Sequence, residues 1–167
     1  MFSIIVCVNN KKVIGKNNQL LYNIPSDLKH FKKVTSNNVV IMGRKTYESL
    51  PINPLPNRIN IIVTHDTNYL VDGVDVVHSL EDAIYLCSEK YLGKKWFIIG
   101  GGQIYNECLE KGYAHEMIIT HVNDDSDGDT YFPSNLDKDK WYLSHIIQCE
   151  KQEGESHEYN IQIWHSI

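Results

Sequence analysis

The first acidic residue of the chain is Asp27, and no other Asp or Glu occurs in the first 43 positions. It follows Ser26, the predicted cap of a helix whose residues Leu28, Phe31 and Val34 share one apolar stripe. Two interpretations stay open. An acid in the first turn of a helix is commonly exposed and favoured by the helix dipole. A carboxylate inside an apolar cleft would instead have a pKa raised by desolvation, as at sites that bind or protonate a ligand.

A run of three glycines, Gly100–Gly102, follows the apolar segment WFII and precedes a predicted helix. Successive glycines let backbone N–H groups approach a ligand closely, and the helix N-terminus adds partial positive charge. These are the properties of a pyrophosphate site. The run is not the G-x-G-x-x-G motif, however, and no acid is placed convincingly about 20 residues beyond it. A tight turn from strand to helix is the simpler alternative.

A second junction of this kind is predicted where Gly43 ends a strand. Arg44 and Lys45 supply positive charge there, and the hydroxyl and backbone of Thr46 could hold a phosphate at a helix start. The alternative is a strand end followed by solvated basic residues. Two such junctions in one sheet fit the two phosphates of a dinucleotide better than either would alone.

Arg58 follows a segment, Pro51–Pro56, that contains three prolines. Such a segment forms a stiff loop, so an arginine at its exit could present a fixed fork to a carboxylate. The alternative is an ordinary surface arginine at a strand start.

We predict no metal site. The spacing of the acidic stretch Asp124–Asp129 does not provide the glycine and the distal glutamate of a calcium-binding EF-hand loop at their required positions, and the eight histidines show no metal-ligand spacing. The four cysteines, Cys7, Cys87, Cys108 and Cys149, contain no C-x-x-C pair and are interpreted as reduced thiols of a cytosolic chain. No Ser/His/Asp or Cys/His set stands out.

Short apolar, β-branched segments alternate with helical patterns along most of the chain, which predicts parallel strands joined by right-handed crossovers. The predicted strands are Ser3–Val8, Asn38–Met42, Ile59–Thr64, Val74–Val77, Lys95–Ile99, Glu116–Val122, Trp141–Glu150 and His157–Trp164. The predicted helices are Ser26–Thr35, Ser79–Tyr91 with a capping box at Ser79, and Gln103–Leu109. The last two strands flank a turn with Gly154 and predict a closing antiparallel hairpin. The expected fold is α/β: a single three-layer domain over residues 1–167, with a mostly parallel central sheet and helices on both faces.

The charge is distributed unevenly. Residues 1–65 hold nine Lys or Arg and two Asp or Glu, a net +7, whereas the other 102 residues hold seven and nineteen, a net −12. This favours an anion-binding face built from the first third, although a solvated basic surface is the alternative. The overall charge of −5 argues against a nucleic-acid partner. The N-terminus has no signal-peptide pattern and no apolar run is long enough to span a membrane, so we expect a cytoplasmic protein without a membrane partner.

Taken together, the motifs resemble dihydrofolate reductase along essentially the whole chain. Single fragments are weak, but their order and spacing are specific. The fragments are VIG at Val13–Gly15, NIPSDLKHFK at Asn23–Lys32, VIMGRKTYESLP at Val40–Pro51, LPNRINIIVT at Leu55–Thr64, FIIGGGQIY at Phe97–Tyr105 and THV…DGDTYFP at Thr120–Pro133.

The resemblance implies NADPH-dependent reduction of 7,8-dihydrofolate to tetrahydrofolate, with hydride transfer to pterin C6. Asp27 would bind the pterin's 2-amino group and N3, supported by Thr120, and a water beside the loop Asn9–Ile24 would protonate N5. The implied catalytic residues are Asp27, Tyr22 and Thr120. The implied substrate-binding residues are Ile5, Asp27, Leu28, Phe31, Lys32, Leu50, Arg58, Tyr105 and Thr120, with Arg58 on the α-carboxylate of the substrate's glutamate.

The resemblance also implies a cofactor site and a cis peptide bond between the first two glycines of Gly100–Gly102. The implied cofactor-binding residues are Cys7, Val13, Ile14, Gly15, Asn18, Gln19, Leu20, Gly43, Arg44, Lys45, Thr46, Thr64, His65, His78, Ile99, Gly100, Gly101, Gly102, Gln103, Ile104 and Tyr105. Four positions depart from the family pattern: Tyr22 stands for Trp, Leu21 for Pro, Gln103 for Arg, and Asp66 puts an acid near the expected 2′-phosphate. The preference for NADPH therefore rests on Arg44, Lys45 and Thr64.

The sequence leaves two other functions open. One is the pyrimidine reductase of riboflavin synthesis, whose ribose-phosphate substrate would not need Arg58. The other is a nucleotide-binding module without turnover. Asp27 beside Phe31 favours the reductase of dihydrofolate over both. Its expected partners are dihydrofolate and antifolate inhibitors, and we expect a monomer.

Overall fold

The computed structural model describes residues 1–133 and 136–167, and its main feature is an eight-stranded sheet. The strands among these residues are β1 (Phe2–Asn9), β2 (Val13–Gly15), β3 (Val39–Gly43), β4 (Ile59–Val63), β5 (Asp75–Val77), β6 (Trp96–Gly100), β7 (Ala114–Val122), β8 (Thr130–Tyr131), β9 (Trp141–Cys149) and β10 (Tyr159–Ser166). The helices are α1 (Pro25–Thr35), α2 (Arg44–Ser49), α3 (Leu80–Lys90) and α4 (Gly102–Glu110). Among the residues described, no helix is both long and apolar enough to cross a membrane.

The sheet order is β5-β4-β3-β6-β1-β7-β10-β9. All pairings from β5 to β7 are parallel, whereas β10 runs antiparallel to both β7 and β9. This confirms the mostly parallel sheet and the closing hairpin. Strand β1 lies in the interior of the sheet and nearly all its residues are buried, as its continuous apolar run predicts.

Helices cover both faces of the sheet and create two cores. One core joins β1 residues Phe2, Ile4 and Val6 to α3 and α4. The other joins Ile5 to α1 and to Tyr47 of α2. Because neighbouring residues of a strand point to opposite faces, the single strand β1 contributes to both cores.

Helix α1 begins one residue earlier than its predicted cap, so the assignment of Ser26 as the cap is wrong. Ile24 occupies the N-cap position without a side-chain hydrogen bond. Pro25 is the first residue of the helix, a position whose N–H has no partner within the helix, so the missing N–H of proline costs nothing there. The Ser26 N–H is satisfied by Glu155 Oε1 at 2.8 Å, from the turn between β9 and β10. At α3 the predicted cap is confirmed, because Ser79 Oγ accepts from the Asp82 N–H at 3.0 Å.

A small antiparallel ribbon, formed by β2 and β8, was not predicted because its strands have only three and two residues. Gly128 lies against it without room for a side chain. A Cβ there would lie 2.3 Å from Val13 Cγ1 and 2.6 Å from the Gly15 carbonyl oxygen. The second of these is backbone, so the loop and the ribbon would have to separate.

We therefore expect Gly128→Ala to destabilise the protein by about 1–3 kcal/mol, the usual cost of overpacking. For a chain of this length, that lowers the melting temperature by roughly 2–12 °C. Gly93→Ala is the matched control, because no atom lies within 4 Å of a Cβ placed there. Equal melting temperatures for the two variants, measured by circular dichroism, would contradict the close contact.

Candidate active site

The two glycine junctions lie side by side at the carboxyl ends of neighbouring strands. Strands β3 and β6 pair in parallel, with Met42 opposite Gly100. A Cβ added to Gly43 would lie 4.0 Å from the Gly101 nitrogen. The crevice beyond the carboxyl ends of strands is where open α/β sheets bind ligands, so the sheet brings the two predicted phosphate sites into one place.

The peptide bond between Gly100 and Gly101 is cis, as the resemblance implied. Gly100 has a φ of 135°, a conformation that residues with a side chain rarely adopt. Gly101 is the N-cap of α4 and has no side chain to cap it. The first N–H groups of α4 are therefore available to an anion, and this cradle fits the phosphates of a dinucleotide cofactor.

Tyr105 supports this turn from within the core. Its side chain is buried, and its hydroxyl donates to the Ile5 carbonyl oxygen at 2.7 Å. Burial raises the pKa of this phenol, so it remains a neutral donor. The contact joins α4 to β1, which carries the other side of the cleft.

The residues expected around the phosphates differ in how firmly they are held. Thr64 is fixed at the end of β4, because its carbonyl oxygen lies 2.8 Å from His78 Nδ1 and its N–H donates to the Val77 carbonyl oxygen. The Arg44 guanidinium lies 5.7 Å above the centre of the Tyr69 ring. Three other residues expected to bind the cofactor are exposed on the surface: Lys45, His65 and Gln103.

Asp27 lies in the first turn of α1 and is partly buried, not exposed. Its Oδ1 accepts a hydrogen bond of 2.6 Å from the hydroxyl of Thr120, a buried residue of β7. Burial raises the pKa of Asp27; the Thr120 hydrogen bond and the nearby His30 act in the opposite direction, and Glu155 raises the pKa further. Of the two interpretations left open by the sequence, the structure supports the carboxylate in a cleft.

We expect Thr120→Val to raise the pKa of Asp27 further, because the variant loses a hydrogen bond that stabilises the carboxylate. A carbon NMR titration of the Asp27 carboxyl group measures this shift directly. Thr120→Ser keeps the hydroxyl and is the matched control. Identical titration curves for Thr120→Val and the unmodified protein would contradict the contact.

One cavity joins the two halves of the predicted site. Its walls include Cys7, Ile14 and Leu20, expected at the cofactor, together with Asp27 and Leu28, expected at the substrate. The remaining lining residues are Val13, Leu21, Tyr22 and Ile24. Burial and then the charge of Asp27 raise the pKa of the Cys7 thiol, so this sulfur is neutral. The cavity thus brings residues expected at the cofactor and residues expected at the substrate into one lining.

Arg58 is held in place by the loop that precedes it and by α1. Its Nε donates to the Pro56 carbonyl oxygen at 2.9 Å, its Nη1 to Thr35 Oγ1 at 3.2 Å, and its guanidinium lies 5.9 Å from the centre of the Phe31 ring. Partial burial lowers its pKa, but an arginine remains charged. In the part of the chain that the structure describes, Nη2 has no hydrogen-bond partner, and this edge can hold a carboxylate.

Sequence reasoning missed the residue that shapes this loop, Asn60. It is buried in β4, where its side chain accepts from the Leu55 N–H and donates to the carbonyl oxygens of Leu55 and Arg58. An asparagine inside the apolar run INIIVT is the signal that could have identified it, because a buried amide must find partners.

Other expected residues occupy different environments. Asn18, Gln19 and Leu20 lie exposed on the turn after β2, where Asn17 and Asn18 both have positive φ, and Lys32 is exposed on α1. Ile5 is buried in the core beneath the cleft, and Phe31 and Leu50 are partly buried against it. Within residues 1–133 and 136–167, no group of three His, Cys, Asp or Glu residues is arranged to hold a metal ion.

The comparisons with known proteins agree with one another. The family model for dihydrofolate reductase matches residues 1–166. Dihydrofolate reductase of Bacillus subtilis is 37% identical over 164 residues, covering 98% of this chain and 94% of the relative. The Staphylococcus aureus enzyme is 39% identical over 151 residues, covering 90% and 89%. A solved structure of Enterococcus faecalis dihydrofolate reductase, complexed with NADP(H) and RAB-propyl, superimposes with a TM-score of 0.88 at 29% identity, covering 99% of this chain and 96% of that one.

Proposed function

The chain belongs to the dihydrofolate reductase family, and on that premise we propose that its cleft reduces 7,8-dihydrofolate to 5,6,7,8-tetrahydrofolate with NADPH. One observation carries the proposal: a single cavity is lined by Cys7, Ile14 and Leu20 on one side and by Asp27 and Leu28 on the other. When bound, NADPH supplies the hydride, which passes from nicotinamide C4 to pterin C6. The protein's task is to hold the two rings in contact and to provide a proton at N5.

The cofactor's phosphates are proposed to bind where the two glycine junctions meet. Gly43, Gly101 and Gly102 give backbone access, Arg44 and Thr46 supply charge and a hydroxyl at the start of α2, and Thr64 stands at the end of β4. Lys45, His65, His78 and Gln103 complete the charged and polar rim. Val13, Gly15, Asn18, Gln19, Ile99, Gly100, Ile104 and Tyr105 form the remaining walls and supports.

Asp27 is proposed to hold the pterin by accepting hydrogen bonds from its 2-amino group and N3. Thr120 fixes the orientation of the carboxylate through the 2.6 Å hydrogen bond. Because Asp27 binds the far edge of the ring, it stabilises charge on the pterin and does not reach N5 itself. A water beside Tyr22 delivers the proton to N5, and the segment from Asn9 to Ile24 excludes other water while this happens.

The rest of the substrate is proposed to follow the cleft toward Arg58. Ile5, Leu28, Phe31 and Leu50 would pack against the pterin and the aminobenzoyl ring. The free edge of Arg58 would bind the α-carboxylate of the glutamate, with Lys32 nearby on α1. Antifolates with a diaminopyrimidine or diaminopteridine ring would bind Asp27 in the same way, so we propose that they inhibit the protein.

We further propose a monomeric protein of one domain, without nucleic-acid or membrane partners. The thiols Cys7, Cys87, Cys108 and Cys149 are all free. Free thiols are typical of a reducing compartment, which supports a cytoplasmic location.

The function is tested by mixing the protein with NADPH and dihydrofolate and following the loss of NADPH absorbance. We expect turnover that methotrexate abolishes. Binding of NADPH without turnover would indicate a nucleotide-binding module instead. Turnover only with a ribose-phosphate pyrimidine substrate would indicate the reductase of riboflavin synthesis.

A further inference from the structure

A cluster of four polar and aromatic side chains joins three loops next to the cavity, and we call it the Tyr22 clamp: Asn9, Tyr22, Asp124 and His157. The Tyr22 hydroxyl donates to Asp124 Oδ2 at 2.5 Å. His157 Nε2 lies 3.4 Å from Asp124 Oδ1, and the rings of Tyr22 and His157 pack edge to face with centroids 4.9 Å apart. The members come from the end of β1, the segment before α1, the loop after β7 and the turn before β10.

Asn9 is the fixed base of the clamp. It is fully buried at the end of β1, and its Oδ1 accepts from the N–H groups of Lys11 and Val13. Its Nδ2 donates to the Tyr22 hydroxyl at 3.2 Å and to the Ser126 carbonyl oxygen at 2.8 Å. All of its hydrogen-bonding capacity toward the protein is thus used to hold other segments relative to the central strand.

The charges of the clamp favour a strong hydrogen bond. Burial and the hydrogen bond to Asp124 raise the pKa of Tyr22 to about 12, so the phenol keeps its proton. Hydrogen bonds from Ser126 and Tyr22 hold the pKa of Asp124 well below its usual range, so the acceptor is ionised. A neutral donor on a carboxylate forms a shorter and stronger bond than a neutral pair does.

Tyr22 lines the cavity, whereas the turn that precedes it is exposed at residues 16–20. That turn is held at its other end by Asp129, whose Oδ2 accepts from the Asn17 N–H at 2.9 Å. We propose that Asn9 and Asp124 are positioning residues for the reaction, because together they hold Tyr22 and thereby keep the segment 16–24 closed over the reacting rings. The proposal rests on the proposed function.

The geometry also limits what Tyr22 does itself. The hydroxyl of Tyr22 donates its one proton to Asp124, so it can only accept a hydrogen bond from a water near N5. Tyr22 therefore contributes by the position of its ring and by closing the segment, and Asp124 acts through it.

The test uses the full chain and two readouts. The first is hydrogen exchange of the amides in segment 16–24 with NADPH bound, which needs no turnover. The second is the single-turnover rate of hydride transfer, measured beside the KM for each ligand. The variants are Tyr22→Phe, Asp124→Ala and the double variant. Asp125→Ala is the matched control, because Asp125 lies on the same loop and contacts Asn10 instead of Tyr22.

We expect Tyr22→Phe and Asp124→Ala each to accelerate exchange and to slow hydride transfer by about 10-fold, the usual effect of losing a hydrogen bond to a charged group. The double variant falls no more than about 3-fold below the slower single variant, because both remove the same contact. Asp124→Asn, whose amide oxygen still accepts, lies between Asp124→Ala and the unmodified protein. Values of KM change by less than about 3-fold, and Asp125→Ala matches the unmodified protein.

Additive losses in the double variant, or unchanged exchange in Tyr22→Phe, would overturn the clamp. A purely structural role would lower the melting temperature and leave the single-turnover rate of the folded protein unchanged. If the unmodified protein does not oxidise NADPH with dihydrofolate, the proposed function fails, and the exchange measurements still decide whether the clamp holds the segment.

Discussion

Replacing Asp27 with Asn is expected to lower the rate of dihydrofolate reduction at neutral pH by at least ~100-fold, the lower range for loss of a group that assists proton transfer. The amide keeps the size of the carboxyl group and can still accept from the Thr120 hydroxyl. It cannot carry the negative charge that stabilises a protonated pterin. The measurement is the steady-state rate with saturating NADPH.

The loss in Asp27→Asn should shrink as the pH falls, because an increasing share of the substrate is then protonated before it binds. A deficit that is constant from neutral to acidic pH would contradict the role of the charge. Thr120→Ser serves as the control at the same site, since it keeps both the carboxylate and a hydroxyl donor.

The Asp27→Asn variant should fold at least as stably as the unmodified protein at neutral pH. Burial raises the pKa of Asp27 in the folded state, so folding favours the protonated form. The stability that this group contributes is present below its ordinary pKa and is lost as the pH rises through the raised value. At neutral pH the ionised carboxylate is therefore a cost, which Asn removes. A lower melting temperature for Asp27→Asn would contradict the assigned burial.

Replacing Arg58 with Ala is expected to raise the KM for dihydrofolate by about 30-fold or more while kcat changes little. The variant loses an ion pair worth ~2–4 kcal/mol, and this pair is present in the ground state and in the transition state alike. Steady-state kinetics at saturating NADPH measure both parameters. Lys33→Ala removes an exposed positive charge from α1 and is the matched control for the general effect of charge.

A shortened substrate makes the Arg58 test sharper. With a dihydropterin that lacks the glutamate, the unmodified protein and Arg58→Ala should have the same KM, since neither can form the ion pair. An unchanged KM for full-length dihydrofolate in Arg58→Ala would refute the carboxylate contact. An increase with both substrates would show that the loop around Asn60 had lost its shape.

The parallel part of the sheet was predictable from the sequence because strands buried on both faces are apolar without interruption, as β1 is. The hairpin of β9 and β10 was predictable for another reason: β9 is mostly exposed, and the turn with Gly154 between the two strands indicated the hairpin. The ribbon of β2 and β8 was not predictable, since strands this short have no period to detect. The start of α1 was predicted one residue too late. The reason is that the Ser26 N–H donates to Glu155, which lies 129 residues away along the chain.

The candidate site, like the fold, was predictable from the sequence only in part. Residue types identified Asp27, Arg58 and the glycines as candidates, because each is unusual in its local context. The environment of Asp27 depends on Thr120, which is 93 residues away and reaches it only through the order of strands in the sheet. Asn9 and Asp124 were missed for a related reason, because Asn9 binds Ser126 and Asp124 binds Tyr22, each more than 100 residues away along the chain. Asn60 was missed although its partners are close in sequence, because only its place inside an apolar run marks it.

The uneven distribution of charge along the chain agrees with the proposed binding of two anionic ligands. Arg44, Lys45 and Arg58, expected to hold the anionic groups of cofactor and substrate, all lie in the segment 1–65 with a net charge of +7. The acidic remainder contributes the uncharged glycine turn and Thr120 to the cleft.

We propose that one cleft holds nicotinamide and pterin so that hydride passes directly between them. The most direct measurement uses NADPH that carries deuterium at both hydrogen positions of nicotinamide C4, with analysis of the product by mass spectrometry and NMR. We predict tetrahydrofolate that carries one deuterium, at C6, formed by the unmodified protein and blocked by methotrexate. Oxidation of NADPH without deuterium at C6, or no oxidation at all, would contradict direct hydride transfer in this cleft.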